Sequence, residues 1–253
     1  MCFNRLFIAL ILFICGVSNI YAKGFSDESL HYVVSYKWGL VNKDAGEATL
    51  ALKRVGNNYD ITLSAKTKPW ADRFYNVRDT LVGRIRTSDL RPLSYSKIAH
   101  EKGRYSKDVI TFSFTNEKTI GLCKRYRKDK NGNISTSEKT LETSGPAYDM
   151  LSIFYYLREI DYENLNNSKP IKATVFSGSK AETITIRLIG KEKITLRDNS
   201  VKDAYHLKFN FTSNNRKKSS DDIDTWISAD SRHIPLYLIG QLPVGQVRVH
   251  YIR

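Results

Sequence analysis

The side chains able to do chemistry are few and scattered in this 253-residue sequence. Its five histidines are His31, His100, His206, His233 and His250, and no two stand close together. A metal site is marked by clustered His, Cys or carboxylate ligands, so each histidine is read as a solvated or hydrogen-bonded strand residue and no metal is expected. Cys123 lies in "TIGLCKRY", alternating with apolar neighbours. Lys124 and Arg125 bring positive charge near it, but a reactive thiolate also needs a base, and no His is adjacent. The reading is therefore a buried, inert thiol. Asp221, Asp222 and Asp224 in "SSDDIDTW" are too few for a calcium loop and read as a polar turn. No nucleophile elbow, zinc-protease helix, phosphate loop or dinucleotide fingerprint is present. No catalytic residue and no cofactor is expected, and the chain is not read as an enzyme.

Binding chemistry is better represented. "CKRYRKDK" interleaves Tyr126 with Lys124, Arg125, Arg127, Lys128 and Lys130, and Arg216, Lys217 and Lys218 repeat the theme. Such runs either grip anionic headgroups or simply solvate a basic surface. Seven aromatics, Trp38, Trp70, Phe74, Tyr148, Phe154, Tyr155 and Trp226, are candidates to line a ligand cavity. The competing reading is that they fill the core.

The elements that position these residues are mostly strands. "LHYVVSYKW" places Leu30, Tyr32, Val34, Tyr36 and Trp38 on one face, and "YDITLSAK" does the same with Tyr59, Ile61, Leu63 and Ala65. This period of two continues almost to Arg253 and predicts roughly ten to twelve strands, each with one wet face, as antiparallel sheets require. Asn131-Gly132 is a strong hairpin signal. "KPWADRFYNV" reads as a short helical turn with Pro69 at its start. "SGPAYDMLSIFYYLREI" reads as the one long helix, about residues 146–159, apolar around most of its circumference through Met150, Leu151, Ile153, Phe154, Tyr155 and Leu157. A helix of that kind needs cover on more than one side. The fold class is thus mainly β: a large curved antiparallel sheet forming a half-open barrel, with the helix packed on its concave side.

Residues 1–22 carry Arg5, an apolar run from Leu6 to Val17 and a terminal Ala22. The run is about half of what a helix needs to cross a bilayer, and the order reads as a secretory signal. An uncleaved anchor and lipidation at Cys15 are the alternatives, although Ile14 is bulky for a lipoprotein site. The expectation is a periplasmic protein, with 23–253 as a single β-rich domain and no transmembrane span after cleavage. Loss of Cys2 and Cys15 would leave Cys123 without a disulfide partner. Without Arg5 the chain keeps 39 basic against 26 acidic residues, an excess of +13. That favours anionic or neutral partners, and nucleic acid is not expected outside the cytoplasm.

The segment "DIDTWISADSRHIPLYLIGQLPVGQVRVHYI" resembles the C-terminal signature of a bacterial exported family known as domain of unknown function 3108. Trp226, Asp230, Arg232, Pro235, Val244, Gly245 and Val247 carry the likeness. Tyr36, Gly39, Gly46 and Ala48 resemble the family's N-terminal hairpin, and "RPLSY" and "GPAYDMLSIFYYLR" also fit. The resemblance implies export and a β-rich domain, with no activity, cofactor or catalytic residue attached. On architecture alone the chain also resembles periplasmic lipoprotein carriers, which fold as half-open barrels; fold likeness does not fix function. The functional expectation is a lipid-like, glycolipid or amphipathic ligand held in the half barrel. The alternative is a non-catalytic envelope assembly module that binds another protein.

Overall fold

The computed structural model describes residues 24–115, 117–165, 169–213, 222–242 and 244–253. The expected signal segment with Cys2 and Cys15, the cluster Arg216, Lys217 and Lys218, and Asp221 and Pro243 lie outside the described residues. Among the described residues the alternating pattern is realised as fifteen strands, more than expected because long runs divide into hairpins. The first half contains β1 (Glu28–Trp38), β2 (Val41–Val55), β3 (Asn58–Thr67), the short helix α1 (Pro69–Asp72) and β4 (Val77–Arg86). It continues through β5 (Pro92–Glu101), β6 (Arg104–Phe114), β7 (Lys118–Lys128) and β8 (Ile134–Ser144). The second half contains β9 (Ala147–Tyr148), α2 (Ser152–Arg158), β10 (Ile171–Ser177), β11 (Lys180–Thr195) and β12 (Val201–Ser213). It ends with β13 (Ile223–Ser228), β14 (Pro235–Gln241) and β15 (Gln246–Tyr251).

All fifteen belong to one sheet, in the order β8-β7-β6-β5-β4-β3-β2-β1-β15-β14-β13-β12-β11-β10-β9. Every neighbour in that order is also a neighbour in sequence except β1 and β15, which pair antiparallel with Tyr32 opposite Tyr251 and Tyr36 opposite Val247. The two edges, β8 and β9, are joined directly by Gly145-Pro146. Gly145 takes a left-handed φ of +77 there, and its carbonyl accepts from Thr119 Oγ1 at 2.7 Å. The sheet is therefore a nearly closed barrel, further curled than the half-open form expected. Twist accumulates strand by strand, and fifteen strands bring the edges almost together.

The central helix is shorter than its sequence suggested. Ala147 and Tyr148 pair in parallel with Thr174 and Val175, and the helical turn starts at Asp149. Asp149 Oδ1 accepts from the backbone N–H of Leu151 (2.7 Å) and Ser152 (3.0 Å), while Ser152 Oγ accepts from Asp149 N (2.7 Å). This reciprocal capping satisfies donors that the first turn would otherwise leave bare. The helix lies inside the barrel, and its two apolar stripes serve two cores. Leu151 and Tyr155 join a cluster with Leu50, Ile61, Ile110, Cys123 and Phe176, mainly from the first half of the chain. Ile153 and Leu157 join Val175, Ile184, Ile186, Leu207 and Ile227 from the second half. Residues four apart share a helix face, so one short helix stitches both halves. The interior around α2 is consequently solid and not a hollow trough beneath a lid.

Arg158, at the end of α2, is 3% exposed. Its guanidinium makes a bidentate pair with Glu28 at the start of β1, with Nη2 to Oε2 at 3.0 Å. Its Nε donates to the Arg232 carbonyl at 3.1 Å, and His233 Nδ1 donates back to the Arg158 carbonyl at 2.7 Å. Phe25 lies 4.7 Å under the guanidinium. Burial works against the charge on Arg158, but hydrogen bonding and attraction from Glu28 outweigh it and hold the group more firmly protonated.

Candidate ligand pocket

Three chain reversals meet at one end of the barrel: the β1–β2 turn, the α1 segment and the β14–β15 turn. A bulge in β2 sets their geometry, because Gly46 faces Val34 whereas Asp44 faces Ser35. Both carbonyls at the bulge are taken by the α1 segment: Lys68 N donates to Ala45 O and Trp70 Nε1 to Asp44 O, each at 2.8 Å. Asp72 anchors the far side, accepting from Arg78 at 2.8 and 3.0 Å and from Thr67. Those bonds, Arg78 first, push its carboxyl down to about 2. The β14–β15 turn is pressed against β1, since Tyr36 Oη donates to Val244 O at 2.8 Å. Gly245 has φ +75, and a Cβ there would sit 2.3 Å from Lys37 O.

The result is an open pocket of about 640 Å³ whose walls are almost wholly apolar. Val34, Tyr36, Trp38, Val41, Val77 and Val247 come from strands, and Trp70, Ala71, Phe74, Leu242 and Val244 from the reversals. Glu47, Lys66 and Thr67 supply polar groups, with Lys66 and Glu47 paired at 2.8 Å. The Lys43 ammonium lies 4.9 Å from the Trp70 ring. Below the pocket the filled core around α2 closes the barrel.

The seven sequence-derived aromatics divide among different places. Trp38, Trp70 and Phe74 are brought together in this pocket. Tyr148 and Tyr155 are buried in the two cores and leave no surface for a ligand. Phe154 is half-buried and belongs to neither cluster. Trp226, between the buried Thr225 and Ile227 on β13, is only partly buried, packs against the first cluster and does not line the pocket. It stacks between His206 at 4.3 Å and Tyr237 at 5.1 Å, and its Nε1 donates to Glu192.

The remaining candidates are committed elsewhere. Cys123 is fully buried, and burial pushes its thiol up, away from thiolate chemistry. Asp224 accepts from His206 Nε2 at 2.8 Å, and Asp222 from Asn210 at 2.8 Å. The basic run on β7 is split between faces: Arg125 and Arg127 pair with Asp108 at 3.2 and 2.6 Å, while Lys124 turns to Glu138. Among the described residues, no three His, Cys, Asp or Glu side chains are grouped to hold a metal. His250 is pulled down to about 4 by burial and then by the Arg197 charge.

Sequence reasoning missed Glu28, Arg158 and Asp149. A lone cation on an otherwise greasy helix marked Arg158, and the Asp-x-x-Ser spacing marked Asp149 as a cap. Asp230 accepts from Ser228 Oγ and Arg232 N, and so shapes the loop whose carbonyl receives Arg158.

These features define a class: an antiparallel barrel plugged by one helix, with an apolar mouth at one end. The sequence matches the family described as Protein of unknown function (DUF3108) over residues 31–251, and the chain belongs to that family. The fold is similar to that of a beta-barrel-like protein of domain of unknown function DUF1849 from Brucella abortus, solved by crystallography. The TM-score is 0.62 at 9% identity, covering 90% of this chain and 96% of that one. Among curated proteins none matches in sequence.

Proposed function

We propose that the protein binds a lipid-like or amphipathic molecule in the pocket at the barrel mouth, as an exported protein of the cell envelope. The observation that carries this reading is the apolar, open volume of about 640 Å³, within the usual size of small-molecule sites. Each methylene withdrawn from water contributes about 0.8 kcal/mol. Ten of them give roughly 8 kcal/mol before the costs of association, enough to hold an acyl chain. Lys43 and Lys66 stand where a headgroup would emerge. Export rests on the order of charge, apolar run and small residue across residues 1–22.

The test is titration of an environment-sensitive fluorescent fatty acid into the chain from Lys23 onward, which holds all fifteen strands. Saturable binding, displaced by envelope lipid extract and weakened at least tenfold by Trp70→Ala, is expected. A probe that neither saturates nor is displaced rules the reading out.

A second reading, an assembly module for another envelope protein, is favoured by β8. Among the described residues this edge strand pairs only with β7, and most of its length is exposed. Such an edge is a template for an added strand. Native mass spectrometry of protein from its own envelope separates the two readings, because one predicts a bound lipid and the other a stoichiometric chain.

A further inference from the structure

Leu40 has no packing role inside the fold. It sits at the tip of the β1–β2 turn with relative exposure of 105%, beside Trp38 at 58%. Phe74, just after α1, is 75% exposed, and Val244 in the β14–β15 turn is 54% exposed. With Val41, Tyr75 and Leu242, seven of the thirteen large exposed apolar side chains among the described residues gather at this one end. Scattered exposed apolar residues need no explanation, but a concentration on one face marks an interaction surface.

The charges at the same end are unbalanced in availability. Its acids are engaged: Asp44 with Arg197 and Lys68, Glu47 with Lys66, Asp72 with Arg78, and Glu101 with Tyr75 and Lys97. Lys37, Lys43, Arg73 and Lys102 are exposed and make no ion pair among the described residues. Lys43 and Lys102 rest instead over aromatic rings, at 4.9 and 4.6 Å from the Trp70 and Tyr75 centroids.

We propose that this end of the barrel docks onto an anionic lipid bilayer. Leu40, Phe74 and Val244 enter the interfacial layer, and Lys37, Lys43, Arg73 and Lys102 lie at headgroup level. The apolar residues are separate projecting tips around an opening. A fluid layer buries such tips without a shape-matched groove, and aromatic side chains favour the membrane–water boundary. The free cations supply the attraction to anionic lipid that exposed apolar tips alone lack. Docked this way, the pocket opens directly onto lipid. Phe74 and Val244 also line the pocket, but docking can be tested apart from pocket occupancy, because neither Leu40 nor Arg73 lines it.

Co-sedimentation with phosphatidylglycerol–phosphatidylethanolamine vesicles tests it, using the chain from Lys23 onward. The parent is expected to partition onto these vesicles and not onto phosphatidylcholine alone. Raising salt from about 50 to about 500 mM should weaken partition severalfold, as screening shortens the reach of the cations. Leu40→Asp with Arg73→Glu should lower partition at least tenfold, with melting temperature and soluble-probe binding unchanged. Lys53→Glu with Arg54→Glu, exposed beside the β2–β3 hairpin at the opposite end of the barrel, should stay within twofold of the parent. No partition at low salt, equal binding to phosphatidylcholine, or a larger loss from the hairpin pair than from the tip pair overturns the assignment. Failure of the soluble-probe titration bears only on the pocket.

Discussion

The Arg158–Glu28 pair offers the sharpest quantitative test of how the barrel is held together. Side-chain exposure is 2% for Arg158 and 17% for Glu28, so the two charges are not equivalent when separated. Glu28→Gln leaves a guanidinium in the interior with the Arg232 carbonyl and the Phe25 ring but no counter-charge. Orphaning one member of a buried pair costs about 3–5 kcal/mol, and the partial exposure of Glu28 places this case near about 3. Arg158→Met instead removes the buried charge and leaves a carboxylate that water can reach. It loses a hydrogen bond worth about 1 kcal/mol and ring contacts worth about 0.5–1, and regains some apolar packing, for a net cost of about 1–2 kcal/mol. The double variant should cost little more than Arg158→Met alone, giving a coupling of about 2–3 kcal/mol. Equilibrium urea unfolding followed by tryptophan fluorescence measures all three, and Glu28→Gln should lower Tm by about 6–12 °C. Additive single effects, or a Glu28→Gln variant within 0.5 kcal/mol of the parent, would refute the reasoning.

Asp149 should give the fold an inverse acid response. Burial raises its carboxyl to about 6, with the N–H bonds of the first turn of α2 opposing but not cancelling the shift. A folded value above the unfolded one of about 3.9 means that folding disfavours the ionised form. The penalty is absent below about pH 4, grows through pH 6 and reaches roughly 3 kcal/mol by pH 7. The stability of the parent relative to Asp149→Asn should therefore decline by that amount between pH 4 and 7, and a difference independent of pH in urea melts would contradict it. Gly121→Ala should destabilise by about 1–3 kcal/mol, because its Cβ would lie 2.6 Å from Phe176, which is buried and stacked on Phe112. Adding Phe176→Leu should recover part of that loss, and a Gly121→Ala melt matching the parent would show that the core yields there.

The strands were legible because a sheet with one wet face writes its burial directly into alternate residues, as at Tyr59, Ile61 and Leu63. Closure was not, since nothing in the spacing of Tyr32 and Tyr36 announces Tyr251 and Val247 as partners across the whole chain. The helix was overextended because Ala147 and Tyr148 are apolar in either state, and only the Asp149–Ser152 cap marks the true start. Aromatic type could not separate Tyr155, sealed against Phe25, from Trp70, whose indole is drawn to a bulge carbonyl. The bulge at Ala45, which makes the pocket, has no signature in residue type. Nothing in the sequence marks Leu40 and Val244 as exposed tips.

Among the described residues, the one pairing between strands at opposite ends of the chain order, β1 with β15, governs the order in which the molecule can be assembled. Apart from β9 and β10, which flank α2, each other strand finds its neighbour across one connection to the next strand in the chain, so two partial sheets can form as the polypeptide emerges. They stay unjoined along that line until the last strand is released. Until then β1 offers a bare flank to solvent, including the backbone of Val33, Val34 and Ser35, at the stage when the growing chain is most open to mispairing.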